Sequence, residues 1–76
     1  MKAEQPPVAV LDEFLETYIH WREECERVQS AYERWARANS SDGASAFADY
    51  RAALDREESA ARGHSESSER VRAYSR

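Results

Sequence analysis

Several ingredients of small-protein sites are scarce or missing in this chain of 76 residues. Cys25 is the one cysteine, which excludes a disulfide framework within the chain. His20 and His64 are the two histidines and stand far apart, so a structural zinc site is not expected. The sequence has no Gly-rich phosphate loop and no Ser/His/Asp set. We therefore expect a protein that is not an enzyme and that has no cofactor and no metal.

Charge and hydropathy also restrict the partners. No apolar run comes near the ~20 residues that a membrane span needs, and the opening residues 1–7 lack the apolar core of a signal peptide. The net charge of −4, from 11 basic and 15 acidic residues, disfavours nucleic acid, because such binding depends on neutralising phosphates. We expect a cytoplasmic protein that binds neither membranes nor nucleic acid.

Large apolar residues recur alternately three and four positions apart along the first half of the chain. This seam consists of Leu11, Phe14, Tyr18, Trp21, Cys25, Val28, Tyr32 and Trp35. Such heptad spacing predicts a helix that buries one stripe against another helix. The pattern specifies an architecture and no chemistry.

The prolines place the start of the first helix. Pro6 and Pro7 are followed by residues 8–38, which contain neither proline nor glycine. A proline is tolerated where a helix begins, since its missing N–H would have been unpaired there. We predict a flexible arm over 1–7 and a helix over 8–39.

A cluster of turn-forming residues then separates this helix from a second one. The turn is predicted over 40–43 and the second helix over 44–62. Gly63 is a natural residue to end that helix, but the seam spacing continues beyond it, and we favour a continuation to residue 74. The prediction is a single all-α domain over 8–76, an antiparallel two-helix hairpin or helical coiled coil.

The facing residues match in type if the chain folds back around Ser41. The predicted pairs are Trp35 with Phe47, Tyr32 with Tyr50, Val28 with Leu54, Trp21 with Ala61, and Leu11 with Val71. This register puts Arg22 beside Glu58 on one flank, and Glu57 opposite Cys25, where a fully buried carboxylate would be costly. The other flank is lined by alanines: Ala31, Ala38, Ala46, Ala53 and Ala60.

The first helix carries more apolar surface than the second can cover. Val8, Leu15 and Ile19 lie outside the seam, and Trp21 faces a small residue. We assign these four as partner-binding residues and expect two hairpins to pair into a four-helix bundle, because twofold dimers are the commonest assembly. The alternative is that they are scattered surface residues of an ordinary kind.

Two other groups of residues have simple structural interpretations. Glu16, His20 and Glu24 form a four-spaced ladder that could coordinate a metal, but such a helix face is more often solvated. Cys25 could be a nucleophile, but it lies in the seam with no histidine near it in sequence, so a buried thiol is the better interpretation.

The hairpin with a tryptophan just before its turn resembles the small Trp-x-Gly helical-hairpin substrates of type VII secretion. The resemblance covers the architecture and Trp35. Arg37 stands where that family has glycine, and Leu54 follows Tyr50 at the position where the partner's export signal has an acid. We therefore do not assign the chain to this family.

The hypothesis from the sequence is a non-enzymatic protein that acts through protein–protein interaction, as a self-associating binding or scaffold module. We expect a homodimer. The alternative is a small regulatory inhibitor, antitoxin-like or anti-sigma-like, that folds on a specific protein target.

Overall fold

Two α-helices make up the part of the chain that the computed structural model describes, residues 5–74. They are α1 (Val8–Arg37) and α2 (Gly43–Ala73). The two helices lie side by side and antiparallel in a rod 64 Å long and 14 by 13 Å across. The predicted all-α hairpin is confirmed for these residues.

Both ends of α1 are set by residues that leave helical geometry. Pro7 precedes the helix with an extended backbone (φ −58°, ψ 151°), and its carbonyl accepts hydrogen bonds from the N–H groups of Val10 and Leu11. Ala38 is extended as well (φ −68°, ψ 142°), so α1 ends at Arg37 and not at residue 39. Residues 1–4 of the predicted arm lie outside the described residues.

The turn between the helices is organised by one side chain. The Oδ1 atom of Asn39 accepts hydrogen bonds from the N–H groups of Ser41 and Asp42, both at 3.1 Å, and from the hydroxyl of Ser41 at 2.7 Å. The carbonyl of Asp42 then accepts the first bond of α2, from the N–H of Ala46 at 2.9 Å. An asparagine that satisfies neighbouring backbone groups in this way favours a tight reversal of the chain.

The second helix passes through Gly63 and ends at Ala73. Gly63 does not adopt positive φ, so it does not form the left-handed cap that glycine favours. Residues beyond it contact α1: Arg70 pairs with Glu13, and the hydroxyl of Ser67 lies 2.7 Å from that of Thr17. These contacts hold the last turns of α2 along the first helix.

Gly63→Ala should stabilise the protein. An added Cβ would meet no atom within 4 Å, and alanine is more favourable than glycine in a helix interior by about 0.5–1 kcal/mol. The Tm followed by circular dichroism should rise by a few degrees. Gly43→Ala, at the first helical residue, serves as the control and should raise the Tm less. A Tm that falls for Gly63→Ala would contradict a continuous helix here.

Small residues occupy the centre of the contact between the helices. Ala53 and Ala60 of α2 are 1% and 5% exposed, Ser67 is 1% exposed, and Ala31 of α1 is 2% exposed. Ala53, Ala60 and Ser67 are seven residues apart, so they form one stripe that allows the helix axes to approach closely. The prediction that the alanines line a flank was wrong for these three.

The ring contacts along the hairpin agree with the predicted register. Tyr18 lies opposite His64, as a chain folded back around Ser41 predicts, with ring centroids 5.6 Å apart. Trp21 also stacks on His64, with ring centroids 5.7 Å apart and planes at 13°. Two predicted contacts near the turn are present: Trp35 with Phe47 at 5.0 Å and Tyr32 with Tyr50 at 5.7 Å between ring centroids. Large rings do not fit where small residues bring the backbones together, so the rings lie to one side of that contact.

Of the polar positions that the register singles out, Arg22 does not make its predicted contact, whereas Glu57 avoids the costly burial, as expected. The predicted proximity of Arg22 to Glu58 gives no ion pair among the described residues, and the Glu58 carboxylate lies 3.8 Å from Arg62. Cys25 and Glu57 are both partly exposed, so no carboxylate is buried at Glu57.

Candidate functional site

One side of the hairpin exposes large apolar side chains that neither helix covers. We call this set the apolar face: Val8, Leu11, Leu15, Tyr18, Ile19, Tyr32, Trp35, Phe47 and Leu54. Each is between 36% and 73% exposed. The contact of Trp35 with Phe47 places these two residues of α1 and α2 on the same side of the hairpin. Ile19 lies at the border of the face, since it is seven residues before Glu26, which lines a groove on the other side. A surface of this kind is typical of protein–protein contact.

The structure places three of the four predicted partner-binding residues on the apolar face. Val8, Leu15 and Ile19 are 73%, 55% and 57% exposed. Trp21 is instead packed between the helices against His64, and its indole nitrogen is buried without a hydrogen-bond partner among the described residues. Whether these residues bind a partner stays a prediction.

The aromatic residues near the turn were assigned to the buried seam, and this was wrong. Tyr32, Trp35 and Phe47 are 47%, 36% and 40% exposed. They contact one another and Tyr50, which stacks on Trp35 with centroids 5.5 Å apart. In α2 the small residues Ala53, Ala60 and Ser67 recur every seven positions. This spacing is the sequence signal that could have predicted that the small residues, and not the aromatic ones, lie between the helices.

The opposite side of the hairpin is charged. Glu13 pairs with Arg70 across the helices. Glu24 is 3% exposed and lies 2.5 Å from Arg27 and 3.6 Å from Arg56 of α2. The interpretation of Glu24 as part of a solvated ladder was therefore wrong, because this carboxylate is buried between the helices and held by two guanidinium groups.

Two observations bear on small ligands at the charged side. No group of three or more His, Cys, Asp or Glu within residues 5–74 could hold a metal ion. An open groove of about 530 Å³ lies there, lined by side chains of both signs, among them Arg27, Arg34, Asp49 and Arg56. Because the charges oppose one another, the groove does not favour a ligand of either sign.

A cluster of polar side chains lies between the helices near the middle of the rod. The Thr17 hydroxyl donates to the carbonyl of Phe14 at 3.0 Å. Its oxygen also lies 3.1 Å from Nδ1 of His64 and 2.7 Å from the hydroxyl of Ser67. The His64 ring packs against Phe14 and Trp21, at 4.9 Å and 5.7 Å between ring centroids.

The hydrogen bonds in this cluster decide its chemistry. A threonine hydroxyl has one proton, and the Thr17 oxygen lies within hydrogen-bond distance of a carbonyl, a ring nitrogen and a hydroxyl. The tautomer of His64 sets whether Nδ1 donates to Thr17 or accepts from it. The arrangement satisfies polar groups that the helices bury, and it ties one position of α1 to one position of α2.

Thr17→Val should destabilise the hairpin. Valine keeps the shape of threonine but leaves His64 Nδ1 and the Ser67 hydroxyl without this partner, which costs about 1–3 kcal/mol. Urea unfolding followed by circular dichroism measures the loss. Thr17→Ser retains the hydroxyl and should lose less stability. Equal losses for the two variants would show that the hydroxyl network contributes nothing.

Comparison with protein-family models, curated proteins and solved structures finds no match to this chain. Within residues 5–74, neither helix combines the length and the apolar character needed to cross a bilayer. The apolar face and the charged side are therefore the features from which a function can be inferred.

Proposed function

We propose that this protein acts through protein–protein interaction, as a cytoplasmic, self-associating binding or scaffold module without enzymatic activity or a cofactor. The apolar face is its docking surface. One observation carries this proposal: within residues 5–74 the buried apolar residues are Ala31, Ala53 and Ala60, whereas the large apolar side chains are partly or largely exposed.

The energetics of burial support a docking role. Full burial of a large aliphatic or aromatic side chain contributes about 1.5–3 kcal/mol. Several such side chains are exposed on one side of the hairpin. A partner that covers them therefore gains several kcal/mol of association free energy from their burial. A chain of this size has a thin core, and small domains of this kind are commonly stabilised by oligomerisation.

Sedimentation equilibrium of the full chain at micromolar concentration tests the proposal. We expect a dimer whose Tm rises with protein concentration, because association stabilises only the folded chain. A chain that is fully folded and monomeric at every concentration would contradict self-association.

The alternative is an inhibitor that folds on its target, antitoxin-like or anti-sigma-like. The small buried core favours this alternative, because a hairpin whose fully buried apolar residues are alanines, and whose aromatic contacts are half exposed, is only marginally stable. Such a protein would be weakly helical by circular dichroism and monomeric until its target is added. The same two measurements therefore separate the two functions.

A further inference from the structure

We propose that the apolar face is covered by the same face of a second copy, with the twofold axis parallel to the long axis of the hairpin. In this dimer α1 of each copy lies on α2 of the other, and the two turns are at the same end. The inference rests on the self-association proposed above and adds the geometry of the four-helix bundle.

The size of the apolar face fits a second copy. Its nine side chains together expose on the order of 800 Å², taking roughly 200 Å² for each fully exposed side chain. One partner in a standard protein–protein interface contributes about 800 Å². The face is also as long as the hairpin, since it extends from Val8 near the open end to Phe47 near the turn.

The shapes of the two helices are complementary at the open end. There α1 presents the large residues Leu15 and Tyr18, whereas the corresponding surface of α2 presents Ala61, Ser65 and Ser68. With α1 of one copy on α2 of the other, large side chains lie over small ones, as knobs over holes. At the turn end the aromatic clusters of the two copies meet and cover each other.

Charge selects this orientation over the reverse one. Arg22 lies at the middle of α1, seven residues after Leu15, and Glu58 lies at the middle of α2, four residues after Leu54. Both side chains are exposed at the edges of the apolar face, and Arg22 has no hydrogen bond or ion pair with the described residues. Because the two helices are antiparallel and of nearly equal length, their middles lie at the same level.

With the axis parallel to the rod, Arg22 of each copy lies beside Glu58 of the other, and the pair occurs twice. With the axis perpendicular to the rod, α1 lies on α1 and the two Arg22 side chains meet near the axis. Like charges at that position oppose association, whereas the two Arg22–Glu58 pairs of the parallel-axis dimer favour it.

Two charge-reversal variants of the full chain, Arg22→Glu and Glu58→Arg, test the orientation. A homodimer of either variant contains two like-charged pairs in place of the two opposite-charge pairs. The Kd of that homodimer should therefore be about tenfold higher than the Kd of the wild-type dimer. The Kd of each variant decides the axis, because with the perpendicular axis each reversal exchanges one like-charged contact for another and leaves the Kd near that of the wild type. Mixed in equal amounts, the two variants restore opposite-charge pairs, and native mass spectrometry should show the heterodimer well above the half expected from random pairing, which shows that positions 22 and 58 lie in the interface. The controls Arg34→Glu and Glu23→Arg make the same charge changes on the charged side and should mix randomly.

Each other outcome has a definite meaning. Random mixing of dimers that are as stable as the wild type would overturn the orientation while self-association holds. A heterodimer of Arg22→Glu with the wild-type chain that exceeds random pairing would indicate the perpendicular axis, where position 22 of one copy meets position 22 of the other, and would also overturn it. A wild-type chain that stays monomeric would overturn the proposed self-association and this inference together. Circular dichroism of each variant at high concentration identifies a chain that fails to fold.

Discussion

Leu15→Glu combined with Ile19→Glu should convert the dimer into a monomer or an unfolded chain. These side chains are 55% and 57% exposed in the single hairpin, so the substitutions remove little burial within one chain. In the dimer they would place carboxylates in an apolar contact, which is costly for a charge without a partner. Because each change occurs twice per dimer, the Kd should rise by about a thousandfold or more in sedimentation equilibrium.

The matched control adds the same two charges to α1 away from the apolar face. Ala9→Glu with Ser30→Glu changes exposed residues on another side of the helix, and this variant should dimerise like the wild type. A Leu15→Glu, Ile19→Glu chain that still dimerises with the wild-type Kd would exclude the apolar face as the docking surface. Its circular dichroism tells whether the released monomer is helical.

Ala60→Leu should strongly destabilise the hairpin. Ala60 is 5% exposed in the stripe of small residues where the helices approach most closely. A leucine there must push the helices apart or adopt a strained rotamer, and overpacking of this kind costs typically about 1–3 kcal/mol. The free energy of unfolding from urea titration should fall by at least that amount, because the neighbouring contacts of Thr17 with Ser67 would be stretched.

Ala48→Leu is the control for this substitution. Ala48 lies on the same helix and is exposed, so an added side chain there has space and leucine is a good helix former. Its free energy of unfolding should stay within about 0.5 kcal/mol of the wild type. If Ala60→Leu were equally harmless, the helices would not be in close contact at this stripe.

Much of the hairpin could be predicted because its signals are local. Pro7 marks the start of α1, and Asn39 with its neighbours marks the turn. The surplus of apolar residues on α1 was also visible, and Leu15 and Ile19 are exposed as that surplus implied. The continuation of α2 through Gly63 depended on the seam spacing, which outweighs the modest helix penalty of one glycine.

The buried polar residues could not be predicted from the same signals. Glu24 looked like a surface residue, because a carboxylate between glutamates and arginines is usually solvated. Its burial depends on Arg56, which comes from the other helix and is far away in sequence. Thr17 and His64 meet for the same reason, across a contact that no local pattern defines.

By itself, the sequence determined that two amphipathic helices form, where the first begins and where the chain turns, and that one helix carries more apolar surface than a hairpin can bury. Only the tertiary structure decided which stripe of each helix forms the contact. Two neighbouring stripes on α2 were compatible with heptad spacing, one that carries Phe47 and Leu54 and one of small residues. The small stripe of Ala53, Ala60 and Ser67 forms the contact because it allows the backbones to approach, and the large rings therefore lie on the exposed side.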